Sequence, residues 1–259
     1  HLGIQRTSVI IENLLRFEDG STVTAGLTRV PFGVGPYGPS NNWFFDQHYY
    51  LGLSDDMDYG VKYNKPMGKW SFDLAYFLAP EPNWRGGSTD SARYSYDIVD
   101  NGGVNSHYRE RHQFNARAIY SMDEMEIPTD FGISAQLGTL EADDRFADDS
   151  IAYAISGHAK STYGNWGLKA QVTYYNYDMD YNGTDASNND LLLMGAYDFA
   201  QSTASEGIVP AVAVNYLWVT DHLDWLDSVN FYNDFSVILK EGQTAGGTDF
   251  NDAYMNVLG

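Results

Sequence analysis

Residues 165–179, NWGLKAQVTYYNYDM, alternate between apolar and polar with a period of two. Trp166, Leu168, Ala170, Val172 and Tyr174 share one parity; Lys169, Gln171, Thr173 and Tyr175 share the other. Successive side chains of a strand point to opposite faces, so this segment reads as a strand with one apolar and one polar side. At about 3.3 Å per residue it is ~45 Å long, well beyond the roughly five or six residues usual in a soluble sheet. Few folds accommodate such a strand. The pattern predicts that it is repeated around a closed sheet.

The same alternation recurs along the chain. Segments 7–17, 22–30, 49–63, 69–78, 111–120, 130–140, 150–160, 190–200, 207–219, 228–240 and 252–259 read as strands, most of them with this alternation, which makes about twelve with the first. In 49–63 the residues Tyr49, Leu51, Leu53, Met57, Tyr59, Val61 and Tyr63 are expected to face outward together. Short connections at 18–21, 64–68, 121–128, 161–164 and 201–206 take turns with longer ones at 31–47, 79–110, 141–149, 180–189 and 220–227. Only 241–251 is longer than its place in the series predicts. Alternating short turns and long loops belong to an up-and-down barrel; a Greek-key sandwich has no reason to show them. The expected fold is therefore all-β, a transmembrane up-and-down antiparallel β-barrel. Residues 1–259 form one domain, without a linker or an internal repeat, and 79–110 is its longest loop.

Composition narrows the environment. Aromatics are 15% of the chain, including 20 Tyr, although mean hydropathy is only -0.39. Aromatic girdles at two bilayer interfaces account for that pairing of values. No apolar run is long enough for a membrane helix. A formal net charge of -20 argues against nucleic acid as a partner, and the absence of cysteine removes disulfides and thiolate metal sites.

The segment Val23-Thr24-Ala25-Gly26-Leu27-Thr28-Arg29-Val30-Pro31-Phe32-Gly33 resembles the strand-end motif of Gram-negative porins of the phosphate-selective O/P type. Tyr49-Tyr50-Leu51-Gly52-Leu53, Asp58-Tyr59-Gly60-Val61-Lys62-Tyr63 and Leu193-Met194-Gly195-Ala196-Tyr197-Asp198-Phe199 are similar to segments of marine-type members of that group. The resemblance implies an outer-membrane diffusion channel for small hydrophilic solutes and ions, usually trimeric, with a barrel of about sixteen strands. It further implies contact with outer-membrane lipid and lipopolysaccharide. Relative to that family, His1-Leu2-Gly3 lacks a leader and Leu258-Gly259 lacks the closing aromatic, so further strands are expected beyond both ends. The arginine-rich loop and lysine cluster behind phosphate preference have no counterpart here. Phosphate selectivity is not carried over.

Parity then selects candidate pore-lining residues. With Leu168, Val172 and Tyr174 in lipid, Lys169 faces the lumen; the reverse would cost ~2–4 kcal/mol for a lysine near mid-membrane. The same reasoning sends Lys62, Arg117, Lys160, Lys240 and Arg16 inward, and Arg29 bends in at its strand end. A basic inner wall within an acidic exterior predicts a weak preference for anions. Arg85, Arg93, Arg109 and Arg111, in or beside 79–110, are candidate constriction-loop charges; an exposed loop with scattered charges is the plainer reading.

Asp55, Asp56 and Asp58, like Asp143, Asp144, Asp148 and Asp149, lack the spacing of a helical calcium loop and read as solvated acidic connections. The six histidines form no zinc motif, and neither the strand pair Ser156 and His158 nor the loop pair Asp221-His222 completes a triad. No metal, cofactor or catalysis is expected. The alternative to a channel is a non-transporting outer-membrane barrel, serving as an adhesin or a sheath for a partner protein.

Overall fold

A computed structural model describes residues 12–42, 46–82, 93–99, 108–143, 145–182, 189–220 and 225–259. Its strands are β1 (Glu12–Arg16), β2 (Thr22–Arg29), β3 (Met57–Met67), β4 (Trp70–Pro80), β5 (Asp97–Ile98), β6 (Tyr108–Met122) and β7 (Thr129–Ala142). They continue as β8 (Ser150–Tyr163), β9 (Trp166–Tyr177), β10 (Leu191–Ala196), β11 (Phe199–Ala204), β12 (Glu206–Val219), β13 (Ser228–Lys240) and β14 (Ala253–Leu258). Eleven of them form one antiparallel sheet in the order β1-β2-β3-β4-β6-β7-β8-β9-β12-β13-β14. Sheet neighbours are also chain neighbours, apart from excursions that leave the sheet and return, so the topology is up-and-down. Strands β1 and β14 are its two edges among the described residues.

Two segments depart from the expected strands. Residues 190–200 do not span the sheet: β10 turns back at Tyr197 and Asp198, both at positive φ, and pairs with β11. With β5 on its other side, β10 forms a separate three-stranded sheet. Strand β12 then pairs directly with β9. Connections at one end of the large sheet are therefore 17–21, 68–69, 123–128, 164–165 and 220–227, and at the other 30–56, 81–107, 143–149, 178–205 and 241–252. Removing 190–200 from the count places 241–252 at the long-loop end, and the anomaly seen in the sequence disappears. The second departure is 49–63, where extension begins only at Met57. Tyr49–Leu51 is a 3-10 turn closed by Gly52 at φ 67°, and Asp55 at φ 52° turns the chain again. Tyr49, Leu51 and Leu53 are consequently buried and do not face outward.

The sheet is inverted relative to that of a water-soluble protein. Ile133 is 60% exposed while its neighbour Ser134 is 1% exposed; Val172 is 54% exposed and Thr173 0%. Leu74, Phe114, Leu137, Ile155, Val212 and Phe235 are likewise exposed, against buried Gln136, Ser156, Gln171, Asp234 and Ser236. Near the short-turn end the outer face carries a row of aromatics. Trp70, Tyr120 and Phe131 are register partners across β4, β6 and β7. Tyr163, Trp166, Tyr216 and Phe231 continue the row across β8, β9, β12 and β13. Trp70 and Tyr120 centroids lie 4.7 Å apart, and those of Trp166 and Tyr216 4.8 Å apart.

Candidate functional site

The polar face is buried because the loop of residues 30–56 lies across it. Pro31-Phe32-Gly33 turns the chain inward at the end of β2, with Gly33 at φ 65°. The positive φ favours glycine there, and a Cβ would stand 2.4 Å from Gln171 Oε1, displacing the end of the side chain that accepts from Val34 N. Gly33 N donates to Ser134 Oγ at 3.1 Å, and Val34 N donates to Gln171 Oε1 at 2.9 Å. Farther on, Asp234 accepts from Asn41 N at 2.7 Å, Asn41 Nδ2 at 2.9 Å and Asn42 Nδ2 at 2.6 Å. Gln47 N donates to Ser236 Oγ at 3.0 Å. His48 Nε2 lies 3.0 Å from Thr173 Oγ1, and Tyr177 OH donates to Leu51 O at 2.6 Å.

This loop reveals the curvature of the sheet. From β2 to β13 is eight places in sheet order, or ~38 Å across a flat sheet at about 4.8 Å per strand. The chain reaches from Arg29 to Asn41 while turning at Gly33 and Gly38. Twelve residues spent partly on turns cannot cover that distance, so the strands wrap around the loop.

Most of the expected lining residues hold this insert or its root. Arg117 pairs with Asp73 through Nε and Nη2, each 2.8 Å from Oδ2, and its Nη1 donates to Gly33 O at 3.2 Å. Lys169 Nζ donates to Ser40 O at 3.0 Å. Lys62 Nζ donates to Arg29 O at 2.9 Å and Thr28 Oγ1 at 3.3 Å. Arg29 does bend inward, to Asp55 Oδ1 at 2.6 Å, with its guanidinium 4.4 Å from the Tyr37 ring centroid. Lys160 is exposed near the short-turn end, where its register partners are Asp130 and Lys169. Lys240 is half-buried at the long-loop end of β13, and Arg16 is exposed on β1.

The constriction-loop residues are arranged differently. Arg85 lies outside the described residues. Arg93 Nη1 is 3.1 Å from Asp97 Oδ2. Arg109 pairs with Asp143, just past the end of the neighbouring β7, at 2.5 Å, and Arg111 with Glu141 on β7 at 3.3 Å. A bulge between Arg111 and Phe114, with His112 at φ 49°, shifts the parity of β6. Tyr108 is therefore buried, and Arg109 and Arg111 lie on the face that carries the exposed Thr139. They do not converge on the interior. The insert is 30–56; parity sends its acceptor Asp234 on β13 inward but could not select Ser40, Asn41 and Asn42, because the loop has no period.

The acidic run before β3 is also not solvated. Asp55, Asp56 and Asp58 are all buried, with Glu81 and Asp97 beside them. Ser95 donates to Glu81 Oε1 through N at 2.5 Å and Oγ at 3.1 Å. Burial and the Asp97 charge push Glu81 up to about 8, against those bonds. Burial raises Asp55 as well, and the Tyr94 hydroxyl and Arg29 offset it only in part. Of the histidine candidates, His158 is buried beside Ser156, with both ring nitrogens unpartnered among the described residues. His107, Asp144 and the pair Asp221-His222 lie outside them.

No protein-family profile and no curated protein matches the chain. The structure of a BenF-like porin from Pseudomonas fluorescens Pf-5 is similar at 13% sequence identity and a TM-score of 0.33, over 94% of this chain and 74% of that one. A likeness at that score carries no functional weight.

Proposed function

We propose that the chain forms an outer-membrane β-barrel pore for passive diffusion of small hydrophilic solutes and ions. The observation that carries this reading is the inversion of the sheet: apolar side chains outside with an aromatic row at one edge, polar side chains inside. An apolar band flanked by aromatics matches lipid, and a polar interior matches water. The short turns then lie in the periplasm and the long loops outside the cell. Passive diffusion needs no catalytic group or cofactor. The proposed assembly is a homotrimer seated among lipid and lipopolysaccharide.

Loop 30–56 takes the constricting role in this reading. Arg117 and Arg29 face Asp73 and Asp55, so a weak preference for anions falls to the lysines of the wall, among them Lys160, Lys169 and Lys240. Reconstitution into planar bilayers tests both statements. Discrete conductance steps are expected, with a reversal potential in a salt gradient displaced towards the anion; cation preference would refute the selectivity. The seating of 30–56 on the inner face also favours a second reading, a barrel closed by its own loop that serves as an adhesin or sheath. Absence of current from detergent-folded, heat-modifiable protein would select it.

A further inference from the structure

Three carboxylates meet where the long loops join the sheet. Asp56 ends the loop before β3, Asp58 is the second residue of β3, and Asp97 belongs to β5 in the loop of residues 81–107. One oxygen from each lies within 4.8 Å of the other two. Asp56 is 6%, Asp58 4% and Asp97 1% exposed. Asp58 Oδ2 accepts from Gln113 Nε2 at 3.2 Å, and Asp97 Oδ2 faces Arg93. Asp56 Oδ1 and Asp58 Oδ1, by contrast, are buried without a hydrogen-bond partner among the described residues.

Two orphaned carboxylate oxygens in one buried cluster are costly, since a buried charge needs a partner or a metal. Among the described residues, the guanidiniums in ion pairs with this acidic group are Arg29, on Asp55, and Arg93, on Asp97. Burial and the charges of Asp58, Asp97, Glu110 and Glu81 hold Asp56 well above the ordinary carboxylate range, so the cluster as it stands is short of positive charge.

We propose that Asp56, Asp58 and Asp97 form a divalent-cation site for Ca2+. All three donors are hard oxygens. A Ca2+ ion with ligands at about 2.3–2.6 Å bridges oxygens up to roughly 5 Å apart, which covers the observed span. Mg2+, at about 2.0–2.1 Å, requires a tighter set. The ion ties β5 to the start of β3. Because β5 pairs with β10, it also holds the small sheet of β5, β10 and β11 over the long-loop end of the large one. The site stands on rim geometry and does not depend on conduction.

Terbium(III) luminescence excited through tyrosine tests the proposal on the detergent-folded full chain; Tyr96 adjoins Asp97. Sensitised emission that Ca2+ displaces is expected, together with a higher unfolding midpoint in Ca2+ than in chelator. Asp56→Asn with Asp58→Asn should weaken binding at least about tenfold, since affinity follows the ligand charge count. The same change relieves repulsion, so the variant should fold in chelator at least as well as wild type. Asp123→Asn with Glu126→Gln, in the exposed turn 123–128, should leave binding unchanged. No emission, or a midpoint that responds to acid but not to Ca2+, would mean protons occupy the cluster and would overturn the proposal. Equal binding by the Asp56/Asp58 variant would place the ion elsewhere and overturn it too.

Discussion

Ile133 and Ser134 are adjacent in β7, yet one is open and the other sealed. In water that arrangement would be unfavourable; in lipid it is what a strand requires. Ile133→Arg should therefore cost ~2–4 kcal/mol of folding into lipid vesicles, the penalty for a cation near the bilayer midplane. Denaturant titration in vesicles measures it, and a neutral or improved outcome would mean that this face meets water. Glu81 supplies a pH test. Its pKa rises from 4.5 to about 8 in the folded chain, so the native state binds the proton more tightly than the unfolded one. Stability in chelator should then fall as pH rises from 4.5 towards 8. Glu81→Gln should flatten that slope, measured as the unfolding midpoint against pH. An unaltered slope would assign the titration to another group.

At the scale of elements, alternation made β6, β7, β8, β9, β12 and β13 legible, because a strand wet on one side must repeat every second residue. It failed at residues 190–200, which read as one more barrel strand: Leu191-Leu192-Leu193-Met194 is apolar on both parities, and the turn at Tyr197 and Asp198 sends the segment into another sheet. It failed again at His112, where one inserted residue reverses the parity of Arg111. The inner loop was not legible, since its seat depends on hydrogen bonds between Ser40–Asn42 and a carboxylate more than 190 residues away. Asp234→Ala removes that acceptor. Hydrogen bonds to a charged group contribute roughly 1.5–3 kcal/mol each and are not additive, so a loss of about 2–4 kcal/mol in loop seating is expected. Single-channel records should then show larger and noisier conductance, with Asp234→Asn intermediate. Identical records from all three proteins would remove residues 30–56 from the conduction path.

For the whole molecule, the sheet and the insert are one construction. Strands β2, β3, β4, β6, β7, β8, β9 and β13 present polar side chains to a common interior, and the chain fills much of it with its own backbone, whose amides bond to Ser134, Gln171, Asp234 and Ser236. Lys169, Arg117 and Lys62, expected from parity to line the lumen, donate to backbone carbonyls at Ser40, Gly33 and Arg29. Charge on this wall thus has a structural use before any transport use, which limits how far selectivity follows from counting basic residues.

The crossing loop also sets an order of events. Residues 33–42 follow β2 directly in the chain, but Asp234 and Ser236 lie some two hundred residues farther on and reach the sheet only with β13. Until β13 exists, the loop can reach only part of its seat, through Ser134, Gln171 and Thr173. The wall is therefore assembled before its interior is furnished, and sealing the inside is among the last acts of folding.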